Sequence, residues 1–106
     1  MSRDFEIDDM ATAYPHLSQF FGGYFHQDWP VDNDSWEGVV DGFVADSTGE
    51  SIDVTAAELT ALLNAGLDHT QLKLLLDEWD CNVDPAAFAM TPSAWLEAVL
   101  ARLAPR

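Results

Sequence analysis

Three histidines, one cysteine and nineteen carboxylates are the side chains of this sequence best suited to acid–base, nucleophilic or metal chemistry. His16 and His69 each fall in the first turn of a predicted helix, and neither has a second strong metal ligand three or four positions away. His26 and Asp28 are two positions apart, which sets their side chains well around a helix from one another. A zinc site needs three or four converging ligands, and the sequence holds no HExxH run or comparable set. No metal and no other cofactor is expected. Cys81 lies between Asp80 and Asp84 with no motif around it. Negative neighbours raise a thiol pKa and oppose the thiolate, so Cys81 reads as a small buried side chain. There is no Gly-x-Ser-x-Gly elbow and no glycine-rich phosphate loop. Carboxylate pairs abound, but a glycosidase-type pair needs a cleft, which a few short helices seldom build. No catalytic residue is assigned, and an enzyme is not expected.

Charge is more informative. Nineteen acids face four bases in 106 residues, for a net charge of −15. Direct binding to nucleic acid is disfavoured, because phosphate contacts need Lys and Arg to release counterions. An anionic membrane surface is disfavoured for the same reason, and no apolar run approaches the ~18 residues of a membrane span. A basic partner is favoured by long-range steering; solubility in a salty cytoplasm is the bland alternative. One cysteine excludes an intramolecular disulfide and fits a reducing compartment. The first residues lack the basic start and apolar stretch of a signal peptide, so a cytoplasmic location is expected.

The elements that position these groups follow from apolar spacing. Leu17, Phe20, Phe21, Tyr24 and Phe25 recur at helical intervals and form one core-facing stripe. Pro15 suits the first turn, and the helix is predicted from Pro15 to Gln27, stopping before Trp29-Pro30. Gly22 and Gly23 inside it mark a kink, a close approach by another backbone, or a tolerated weak point. Pro30 to Asp34 reads as a loop. Asp34 and Glu37 then form a capping box ahead of a stripe of Trp36, Val39, Val40, Phe43 and Val44. Residues 47–51 read as an acidic loop. Thr55 and Glu58 offer a second box before Ala56, Leu59, Leu62 and Leu63, with Gly66 as a left-handed stop. Asp68 and Gln71 open the fourth helix, with Leu72, Leu75, Leu76 and Trp79 inward. The short link predicts an antiparallel hairpin of the third and fourth helices. After an irregular stretch to Met90, Thr91-Pro92 opens the last helix, with Trp95, Leu96, Val99, Leu100 and Leu103 inward. The fold expected is all-α, a single compact domain of about five short helices over residues 14–106, preceded by a loose acidic arm over 1–13.

The acids sit where they oppose stability. Asp28, Asp46 and the group Asp77, Glu78 and Asp80 fall at helix C-termini, where negative charge costs roughly 0.3–1 kcal/mol each. Asp34, Glu37 and Asp41 share one edge of the second helix without a basic residue at i±4, and like charges there cost roughly 0.2–0.5 kcal/mol per pair. Two candidate partner-binding patches follow. One is Asp28, Trp29, Asp32, Asp34, Glu37 and Asp41; the other is Asp77, Glu78, Asp80 and Asp84. Trp29 is either an interface anchor or core, and Asp28 either fixes the turn or faces the partner.

The segment Phe20-Phe21-Gly22-Gly23-Tyr24-Phe25-His26-Gln27-Asp28-Trp29 resembles the N-terminal signature of the CdiI-type immunity proteins of bacterial contact-dependent growth inhibition systems. Leu72 to Pro85, a leucine-rich helix ending in a Cys-containing loop, is similar to that family's middle. Thr91-Pro92-Ser93-Ala94-Trp95-Leu96 is similar to its last helix. The resemblance spans about residues 14–104; the arm before Tyr14 and residues 46–53 have no matched counterpart. It implies a small helical protein with no catalytic residues, which binds a cognate toxin domain, often a nuclease, and blocks it inside the producing cell. The toxin-facing surface varies between members, so the motif does not fix the interface. A different class of function remains on the residues alone: an acidic adaptor or nucleic-acid mimic that sequesters a basic DNA-binding protein.

Overall fold

Helix formation follows the stripes and the caps more closely than the loops do. The computed structural model describes residues 12–27, 29–32 and 35–103. Most of the expected 1–13 arm, and Asp28 and Asp34 of the candidate patches, therefore lie outside the described residues. Helix α1 is Pro15–Tyr24, α2 the single turn Trp29–Asp32, α3 Trp36–Asp46, α4 Gly49–Leu63, α5 His69–Glu78 and α6 Pro92–Leu103, with a 3₁₀ turn at Pro85–Phe88. Among the described residues the structure is all-α, with no strand.

Besides the end of α1, at Tyr24 rather than Gln27, three boundaries depart from expectation. Pro30 does not leave a loop behind it: Trp29 opens the turn α2, where a proline in the first turn forfeits no helical hydrogen bond. Helix α3 is capped by Ser35, whose hydroxyl accepts the Gly38 N–H at 3.2 Å, rather than by Asp34. Helix α4 begins at Gly49, because the Thr48 hydroxyl accepts the Ser51 N–H at 3.1 Å and turns the expected loop into a first turn. Thr55 is then a buried mid-helix residue that satisfies its hydroxyl on the Ser51 carbonyl four residues back, at 2.9 Å. The other starts are as read. Asp68 and Gln71 make a complete capping box on α5, and Thr91 accepts the Ala94 N–H at 3.1 Å ahead of Pro92.

Helix α1 has no side-chain cap of its own. Glu58 of α4 supplies one: Oε1 accepts the Leu17 N–H at 2.9 Å, and Oε2 lies 2.9 Å from His16 Nδ1. The residue read as half of a local box on α4 thus closes a different helix.

The stripes converge on α6, which packs against α3, α4, α5 and the 3₁₀ turn, while α1 lies across α3 and α4. Helices α4 and α5, linked through Gly66 at φ +77°, each make their main contacts with other helices, α6 among them, rather than with one another. Trp95 is fully buried at the centre. Phe21, Phe25 and Trp36 meet its ring at centroid distances of 5.7, 5.4 and 5.9 Å. Such aromatic pairs add about 0.5–1.5 kcal/mol beyond area burial. The Trp95 Nε1–H has no hydrogen-bond partner among the described residues, a cost set against that packing.

Gly22 resolves the glycine pair. A Cβ on Gly22 would stand 2.8 Å from the Trp79 carbonyl oxygen, whereas one on Gly23 would meet nothing within 4 Å. Only Gly22 is a close backbone approach. Gly22→Ala is therefore expected to lower stability by about 1–3 kcal/mol through overpacking. Gly23→Ala should raise it by about 0.5–1 kcal/mol through helix propensity. Chemical denaturation of the two variants beside the parent reads the opposite signs directly.

Candidate functional site

The exits of α1 and α5 are sewn together by one residue. The Asn82 N–H donates to the Phe25 carbonyl at 2.8 Å, and the Trp29 Nε1–H donates to the Asn82 carbonyl at 2.7 Å. Phe25 leaves helical geometry where its carbonyl takes this bond, so α1 stops at Tyr24, short of Gln27. Trp29 is half-buried and meets Phe25 edge-on at 5.8 Å. It serves the turn and the edge of the core while leaving part of its ring at the surface. Trp79, at the end of α5, stacks on Phe21 with centroids 5.8 Å apart and an interplanar angle of 12°.

Helix α5 ends in a Schellman closure. The Cys81 N–H reaches the Leu76 carbonyl at 2.9 Å and the Asp80 N–H the Asp77 carbonyl at 3.0 Å. The C′ position, usually glycine, is held by Asp80 at φ +59°. Asp80 thus bears both a left-handed backbone and a negative charge against the negative end of the helix dipole. Asp77, Glu78, Asp80 and Asp84 are all exposed around this exit. Asp84 also caps the 3₁₀ turn, accepting the Ala86 N–H at 3.2 Å. Cys81 beneath them is buried; burial first, and the Asp77 charge further, push its thiol far up, with a hydrogen bond from the Val83 backbone working the other way.

A second surface lies between α3 and α6. An open groove of about 520 Å³ runs there, lined by Trp36, Glu37 and Asp41 on one side and Ala98, Ala101 and Arg102 on the other. Arg102 spans it as a fork, Nε to Asp41 Oδ1 and Nη2 to Asp41 Oδ2, both at 2.9 Å. That hydrogen-bonded fork holds the Asp41 carboxyl below its ordinary range, and Asp41 raises Arg102. Asp41 has no basic residue at i±4, and its counterion comes instead from another helix, 61 positions away. Glu37 makes no hydrogen bond or ion pair among the described residues.

The contacts therefore divide the first candidate patch. Trp29 joins Asp77, Glu78, Asp80 and Asp84 through Asn82, while Glu37 and Asp41 line the groove with Arg102. Asp32 closes the turn α2. Asp46, at the end of α3, holds the Tyr24 hydroxyl, whose pKa is raised by burial first and by the Asp46 charge second. Sequence reasoning missed Asn82 as the tie, Glu58 as the cap and Arg102 as the fork. Of these only Arg102, one of four bases, carried a local signal. Among the described residues no three His, Cys, Asp or Glu side chains gather as metal ligands, and no helix is long and apolar enough to cross a membrane.

These features define a class: an all-α body whose acids stand outward on helix exits and a groove rim. The family is specific. The CdiI immunity protein family matches over residues 13–103, and the chain belongs to it. A chain of the crystal structure of the CdiA-CT/CdiI complex from Y. kristensenii 33638 superposes with a TM-score of 0.78 at 26% sequence identity, covering 85% of this chain and 97% of that one. Among curated proteins nothing matches.

Two outcomes follow from the α5 exit. Asp80→Gly relieves the left-handed strain and the adverse dipole together and should stabilise the fold by about 1 kcal/mol, seen as a raised urea midpoint at unchanged m-value. Cys81 should react with iodoacetamide at pH 8 about a hundredfold more slowly than a free cysteine, and at the free rate once the chain is unfolded in urea.

Proposed function

We propose that this chain is an immunity protein that binds and neutralises a cognate toxin domain inside the cell that produces both. The observation that carries the reading is family membership over residues 13–103, supported by likeness to a chain from a CdiA-CT/CdiI complex. The toxin domain is a basic one, a nuclease, and it meets the acidic surface. With a net charge of −15, the chain steers a basic partner from a distance and repels nucleic acid. On contact its carboxylates stand where substrate phosphates would bind, so inhibition is both steric and electrostatic. The candidate contacts are Trp29, Asp77, Glu78, Asp80 and Asp84 at the α1–α5 exits, and Glu37 and Asp41 at the groove, with Asp28, Asp32 and Asp34 near Trp29 in sequence. The acids at the helix exits support this, because each is an electrostatic cost to the free protein that a basic partner would offset.

The test is co-expression with a cognate toxin domain of the CdiA-CT kind. The wild-type chain should restore growth and co-purify with that domain. The double reversal Glu78→Lys/Asp80→Lys should weaken association about tenfold or more at low salt and flatten its salt dependence; Glu37→Lys should act in the same direction. Growth arrest despite expression of folded wild-type protein overturns the reading. Unchanged affinity in both charge variants overturns the acidic-surface mechanism alone.

A further inference from the structure

The groove between α3 and α6 is an interface pocket with a defined occupant. Resting on the toxin-binding reading, we infer that it seats a basic side chain of the toxin domain, a Lys or Arg whose stem lies against Trp36, Ala98 and Ala101 and whose cation meets Glu37.

Three observations converge on a cation with a long apolar stem. Ala98, Ala101 and Trp36 are the apolar part of the lining, so the groove offers apolar contact and about 520 Å³ of open room. Lys and Arg stems use such surfaces while their heads reach a polar rim. The rim carries two carboxylates and one guanidinium, in a protein of net charge −15, so an anionic occupant is disfavoured. The third is the fork. Arg102 would repel an entering cation, but Asp41 already takes it in a bidentate pair, both bonds at 2.9 Å. Glu37 is the second acid of the groove, half-buried and without a hydrogen bond or ion pair among the described residues; its charge acts on Arg102 only at longer range, as the last and smallest of the influences on that cation. Asp41 thus acts by neutralising Arg102, and Glu37 by receiving the partner.

This division of labour makes predictions of opposite sign. Affinity for the purified cognate toxin domain is measured by calorimetry on the folded full chain, with circular dichroism confirming each variant's helix content and melting. Ala101→Trp fills the groove without changing charge and should weaken binding about tenfold or more. Asp41→Asn frees Arg102 to compete for Glu37 and should weaken it about five- to tenfold. Arg102→Ala removes the repelling cation, leaves Asp41 as a second acid and should tighten binding. Lys73→Ala on α5 measures the bulk effect of losing one positive charge, and Arg102→Ala should exceed it. If Ala101→Trp folds and binds within twofold of wild type while Glu78→Lys/Asp80→Lys binds weakly, the groove is not the site and the immunity reading stands. If Arg102→Ala weakens binding, the cation-receiving role of Glu37 is wrong. If folded wild-type protein does not bind the toxin domain, both readings fail together.

Discussion

The arrangement of this protein depends on one contact between backbones. Gly22 lets α1 lie so close to the end of α5 that no Cβ can intervene before the Trp79 carbonyl. That approach brings the Phe21 ring flat onto Trp79. It also carries Phe25 to where its carbonyl meets Asn82, and Trp29 to where its indole N–H meets the same residue. The aromatic core on one side and the acidic helix exits on the other are two faces of a single crossing. Packing density at such a crossing leaves little room for adjustment. The placement of the surface acids around Trp29 and Asp80 is therefore inherited from the interior.

The acids themselves fall into two physical kinds. Glu58, Asp68, Asp84 and Asp41 are used internally, as caps or as one arm of a fork. Asp77, Glu78 and Asp80 instead crowd a helix end whose dipole opposes them, and α5 has no basic residue in its last turn. A fold with a fully buried aromatic centre tolerates such local costs, since total stabilities of about 5–15 kcal/mol exceed them. A net charge of −15 makes the same surface a long-range attractor for a basic domain and a barrier to polyanions.

Periodicity made the helices and their buried faces legible. Leu17, Phe20 and Phe21, the leucines at 72, 75 and 76, and Trp95 with Leu96 and Val99 are all buried as their spacing predicts. Caps were legible where one candidate stood alone, as at Asp68 and Thr91. They failed where polar residues competed: Ser35 displaces Asp34, and Thr48 displaces Thr55. The stretch Ser47–Ser51 looks like a loop because its glycine and hydroxyls suit loops and N-caps equally well. The site was least legible because its ties are long-range. Glu58 to Leu17 spans 41 positions, Trp29 to Asn82 53, and Asp41 to Arg102 61. No local pattern encodes a pairing made only after helices cross. The family signature around Tyr24–Trp29 was readable because it is contiguous, and within it Tyr24, Phe25 and Trp29 pack on the core.

The borrowed cap of α1 has a consequence for how the chain folds. Helices α3, α4, α5 and α6 each begin with a side chain from their own flank: Ser35, Thr48, Asp68 and Thr91. Helix α1 contains two glycines, and its first-turn N–H waits for Glu58 of α4. A ten-residue helix so built does not persist alone in water. The cap of α1 therefore exists only while α4 is docked against it, so the two helices are coupled in stability: separating them removes the cap together with the burial of Leu17.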